Sequence, residues 1–75
     1  MENDNQLDRI FFALSDAKRR SILTELSEES KSVGELANSF DLTMGAVSKN
    51  IIILEKAGLI HKSKRGRQVY CHMNF

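Results

Sequence analysis

The chain has no proline, and no Gly/Ser-rich stretch or internal repeat divides its 75 residues. No linker is therefore expected, and residues 1–75 read as one domain. A single cysteine, Cys71, excludes an internal disulfide and a multi-cysteine zinc site. The longest apolar runs, Ile10 to Leu14 and Ile51 to Leu54, fall far short of the ~20 residues of a membrane span. Met1-Glu2-Asn3-Asp4 is acidic and polar, unlike the basic start of a secretory signal. A soluble, cytoplasmic chain is the expectation. No Ser/His/Asp set or paired carboxylates stand out, and Gly34, Gly45, Gly58 and Gly66 are too scattered to cradle a phosphate. Neither an enzyme nor a cofactor or metal site is expected. A chain this short buries only about 60% of its unfolded surface, so a partner subunit would add stability.

What is present is charge in two blocks. From Met1 to Leu42 nine acidic residues face five basic ones. From Thr43 to Phe75 six basic residues face Glu55 alone. The net charge of +1 hides this division, which points to a polyanion bound on one face.

Leu7, Ile10, Phe11 and Leu14 form one apolar helical stripe, which Ser15-Asp16 ends. Asp16 is placed to cap a second helix with the stripe Arg19, Ile22, Leu23 and Leu26. Glu28 to Lys31 reads as a polar break. Ser32-Val33-Gly34-Glu35 fits a capping box, opening a short helix with Leu36, Ala37 and Phe40 inward. After Asp41-Leu42, Thr43 is a good N-cap for a fourth helix. Its inner stripe is Val47, Ile51 and Leu54, with Gly58 just past its end. Leu59 to Ser63 and Gln68 to Met73 are rich in β-formers. Lys64-Arg65-Gly66-Arg67 separates them, with Gly66 at the turn. The predicted fold is mainly α with a small β-hairpin, in the order α-α-α-α-β-β. This is a winged helix-turn-helix, its recognition helix spanning 44–57 and its wing 59–73.

The second helix of such a motif enters the DNA major groove. Thr43, Gly45, Ala46, Ser48 and Lys49 lie in its first turns. The hydroxyls and the ammonium suit base edges or phosphates, Ala46 suits a thymine methyl, and Gly45 permits close backbone approach. Lys62, Lys64, Arg65 and Arg67 surround Gly66 and suit a phosphate backbone or the minor groove. Lys18-Arg19-Arg20 opens the second helix against its dipole, so a phosphate or an ion pair with Asp8, Asp16 or Glu25 is expected. Leu7, Ile10, Phe11 and Leu14, with Phe12, make the first helix more apolar than one core face requires, which suggests a dimer interface. Cys71 and His72 point to opposite faces of a strand, His61 lying on its partner.

Leu7 to Asn74 resembles the ArsR-type winged-helix repressors. The resemblance rests on Ala13 to Leu23, Ser32 to Ala37, Ala46 to Ile51, Leu54 to Ile60, and Gly66-Arg67 with Tyr70. It implies a homodimeric, sequence-specific repressor of double-stranded DNA. Ser32 and Gly34 stand where metal-sensing members carry a cysteine pair, so the chain resembles the metal-free branch. The family's C-terminal helix, with its other metal site, would follow Phe75. Ile52 replaces a usual polar residue on the outer face of the fourth helix. Two other readings stand beside the repressor: a winged-helix protein-interaction module without DNA specificity, and a redox-sensing regulator acting through Cys71.

Overall fold

The computed structural model describes residues 2–75, with side chains from Asn5 onward. The elements are α1 (Glu2–Leu14), α2 (Ala17–Glu28), β1 (Lys31–Ser32), α3 (Val33–Phe40), α4 (Met44–Lys56), β2 (Ile60–Arg65) and β3 (Gln68–Met73). Helix α3, a short connection and α4 form the helix-turn-helix, and β2–β3 is the hairpin that follows it.

Local chemistry fixes the helix ends. The Asp16 carboxylate accepts from the Arg19 amide at 3.1 Å. Ser32 and Glu35 complete a reciprocal capping box, each side chain accepting from the other's backbone N–H at 3.1 and 2.9 Å. Thr43 Oγ1 accepts from the Ala46 amide at 3.1 Å. At the end of α4 the Leu59 amide donates to the Leu54 carbonyl and the Gly58 amide to that of Glu55. This is a Schellman closure, and it requires the positive φ of 77° that Gly58 adopts. Helix α3 closes the same way through Asp41, a non-glycine residue at φ 53°.

The inner faces meet in one core. Ile22, Leu36, Val47, Ile51, Leu54, Ile60 and Cys71 are fully enclosed. Each large aliphatic side chain buried in this way is worth about 1.5–3 kcal/mol. The predicted stripes of α2, α3 and α4 all face this core. Helix α1 differs. Its buried residue is Ala13, with Ile10 packed beside it, while Leu7, Phe11 and Phe12 stand 49%, 67% and 59% exposed.

Two boundaries differ from the sequence expectation. The polar break after α2 contains strand β1, which pairs Lys31 with Cys71 and Ser32 with Tyr70. The sheet is therefore three-stranded and antiparallel, in the order β1-β3-β2. Two residues are too few for alternation to mark a strand, so the pairing comes from tertiary packing. The hairpin loop is also shorter than expected. Arg65 pairs with Gln68, which leaves Gly66-Arg67 as a two-residue turn and puts Lys64 and Arg65 within β2. Gly66, at φ 59°, takes the first turn position.

Candidate nucleic-acid interface

With Val47, Ile51 and Leu54 turned inward, α4 directs Lys49, Ile52 and Lys56 outward. The Schellman turn reverses the chain at once, so β2 starts beside the last turn of α4. Lys62 Nζ lies 3.2 Å from Glu55 Oε1 and ties the strand to the helix. Between α4 and the hairpin runs a groove of about 410 Å³. Met44, Ser48, Ile51 and Ile52 form its helix wall, and Lys62, Arg67, Gln68 and Val69 its hairpin wall. Ser32 to Gly34, at the start of α3, also line it.

Of the residues singled out from the sequence, the groove brings together Ser48, Lys62 and Arg67. The others flank it on the same two elements. Thr43 is exposed and spends one hydroxyl lone pair on its cap, keeping its O–H free to donate. Gly45 faces open space, with nothing within 4 Å of where a Cβ would stand. Ala46 is half-buried and Lys49 exposed. On the hairpin, Lys64 and Arg67 are exposed, and the Arg65 guanidinium lies 5.2 Å from the centre of the Tyr70 ring. Lys49, Lys64 and Arg67 make no ion pair among the described residues. The result is a partly apolar groove flanked by free cations on both the helix and the hairpin.

The basic triplet at the start of α2 behaves differently from expectation. Arg19 is only 8% exposed. Its guanidinium donates to the carbonyls of Ala13 at 2.9 Å and Phe12 at 3.0 Å, and to Asn50 Oδ1 at 3.1 Å. It also lies 5.0 Å from the centre of the Phe12 ring. Arg20 Nη1 donates to the Leu14 carbonyl at 2.7 Å. Both arginines thus satisfy the last carbonyls of α1, where a cation is favourable. For Arg19 and Arg20 this capping role replaces the expected pairing with Asp8, Asp16 or Glu25, while Lys18 is exposed. The partner of Glu25 is Lys31, at 2.9 Å. That bond, joined by one from Ser39, holds the Glu25 carboxyl below its ordinary range.

The sheet residues carry no reactive cluster. Cys71 is fully enclosed, and burial pushes its thiol up to about 11. A thiol so held is protonated at neutral pH and enclosed, which makes it a poor nucleophile. His61 and His72 stack across β2 and β3 with ring centres 4.9 Å apart. Ser30 and Ser63 bond the two nitrogens of His72. Sequence reasoning passed over Met44 and Gln68 as parts of the groove. A methionine directly after the Thr43 cap, off the inner stripe, was the available signal.

The likenesses to known proteins agree with this architecture. A family of helix-turn-helix domains matches residues 14–63. The transcriptional repressor SdpR of Bacillus subtilis is 29% identical over 68 residues, spanning 91% of this chain and 76% of its own length. The crystal structure of an ArsR family transcriptional regulator superposes with a TM-score of 0.87 at 40% identity, covering 93% of this chain and 77% of that one. The solution structure of a homodimeric winged helix-turn-helix DNA-binding domain from Mycobacterium bovis gives a TM-score of 0.87 at 25% identity, covering 92% and 64%. Among the described residues no helix is long and apolar enough to cross a membrane. A basic hairpin set against a helix-turn-helix, with these likenesses, shows that the chain belongs to the ArsR family of winged helix-turn-helix regulators, which control transcription by binding DNA.

Proposed function

We propose that residues 1–75 form a single domain that represses transcription by occupying an operator as a homodimer in the cytoplasm. Helix α4 lies in the major groove and presents Thr43, Gly45, Ala46, Ser48 and Lys49 to base edges and phosphates. The hairpin rests on the backbone or minor groove through Lys62, Lys64, Arg65 and Arg67. The observation that carries this reading is the shared position of Ser48 and Arg67 in one groove, with Lys49 and Lys64 unpaired beside it. The second copy docks on α1 through Leu7, Ile10, Phe11 and Leu14. Exposed Leu7 and Phe11 support this, as does the homodimeric relative. Repression by steric occupancy follows the repressor among the relatives, and needs no catalysis, cofactor or metal. Ser32 caps α3 rather than offering a thiolate.

Fluorescence anisotropy tests the reading, with a labelled duplex from upstream of the gene and a scrambled control at several salt concentrations. Expected is tight binding that prefers the native duplex and weakens linearly on a log–log salt plot. No binding to either duplex at low salt would instead make the domain a protein-docking module.

A further inference from the structure

Two large apolar side chains on the DNA-facing side of α4 are unexplained by folding. Met44 is 54% exposed and Ile52 44% exposed. The neighbouring Ile51 and Ile53 serve the core. Met44, Ser48 and Ile52 are spaced i, i+4, i+8 and form one ridge, and all three line the groove. The opposite wall carries Arg67 and Lys62, with Lys49 exposed on the helix itself. An occupant matching this surface is polyanionic at its edges and apolar at defined points within. Duplex DNA fits, and the apolar group it displays in the major groove is the thymine 5-methyl.

We propose that Met44 and Ile52 read thymine methyl groups on either side of a base pair that faces Ser48. The proposal rests on the DNA-binding reading and adds what the helix reads. Eight residues of helix span about 12 Å. With the axis of α4 running along the base stack at ~3.4 Å per step, the two contacts fall three to four base pairs apart. An operator half-site therefore carries two thymines, on either strand, at that spacing. Ser48 between them donates or accepts and discriminates less sharply.

The test begins with an operator selected by the full chain from a randomised duplex library. Each thymine of the half-site is then replaced singly by deoxyuridine, which removes the methyl and keeps the pairing. Two positions three to four base pairs apart should each lose about fourfold in affinity, the worth of one buried methyl-sized group. The remaining positions should be unaffected. Ile52→Ala should abolish the penalty at one position and Met44→Ala at the other. Both sites are exposed, and alanine favours helix, so melting curves should match the parent. Specific binding with no uracil penalty, or penalties that survive both substitutions, would overturn methyl reading. Recognition of DNA would then stand, and the ridge would belong to another occupant such as a small apolar ligand. Failure to select any preferred duplex would remove sequence-specific recognition itself, and methyl reading with it.

Discussion

Arg19 and Arg67 carry the same side chain in opposite circumstances. Arg19 is buried, with its guanidinium shared among two carbonyls and Asn50. Arg67 is exposed at a hairpin turn and makes no ion pair among the described residues. The contrast extends to the regions around them. In the first half Arg19, Arg20 and Lys31 are consumed by helix-end carbonyls and by Glu25. In the second half Lys49, Lys64 and Arg67 remain available. A cation's role is set by the acceptors that the fold places around it.

The largest effect should come from the buried arginine. Arg19→Ala leaves two helix-end carbonyls without a strong donor and should destabilise the fold by about 3 kcal/mol. For a domain of this size the melting temperature should then fall by more than ~10 °C. Arg19→Lys should recover little, because an ammonium cannot span the same fork of acceptors. Arg67→Ala, melted in parallel, should match the parent. Equal losses in both variants would erase the contrast.

The reverse effect is expected in binding. Lys64→Ala with Arg67→Ala should reduce the slope of log affinity against log salt by about two, one for each phosphate no longer neutralised. Their melting curves should be unchanged. An unchanged slope would show that the hairpin cations are surface charge and nothing more.

A smaller effect separates core from surface. Native Cys71 should resist a thiol reagent at pH 8 and react fully once denaturant unfolds the chain. Its thiol is raised to about 11, so this contribution to stability is full below the ordinary thiol range. It is lost as pH climbs through that raised value. Melting curves between pH 8 and 11, compared with those of Cys71→Ala, measure the slope. Rapid native labelling would contradict the burial.

The smallest effect belongs to the half-buried pair of Glu25 and Lys31. The hydrogen bond from Lys31 lowers the Glu25 carboxyl, so its stabilisation is present above the ordinary carboxylate range and fades as pH falls through the lowered value. Glu25→Gln should flatten the acid limb of the stability curve slightly and leave DNA binding unchanged.

The sequence disclosed most where a residue's local chemistry decides the outcome. Asp16, Ser32, Thr43 and Gly58 end helices through groups within a few positions of themselves, so their roles could be read directly. The inner stripes of α2, α3 and α4 followed from periodicity for the same reason. Long-range partnerships were hidden. Nothing near Arg19 in sequence announces Asn50, 31 positions away. Strand β1 exists only because β3 returns beside it. On α1 the apolar stripe was visible, but it could not say that small Ala13 fills the core while Phe11 stays outside. For the candidate interface, the cations and hydroxyls were recognised from their chemistry. The apolar ridge of Met44 and Ile52 needed exposure to be seen as distinct from core.

The strand order β1-β3-β2 gives the hairpin the mechanics of a cantilever. Near its root, Tyr70 and Cys71 of β3 are paired on both edges, to β1 and to β2. His72 adds a clamp, held by Ser30 on one side and Ser63 on the other. Beyond Tyr70 the pairing is one-sided, so Gln68 and Val69 bond to β2 alone and Lys64 to Arg67 project as an overhang. A beam clamped at one end keeps its base in register while its tip deflects under load. The root stays fixed against α4 at Lys62, while Arg67 to Val69 of the groove wall belong to the overhang and can follow the contour of whatever helix the charged tip meets.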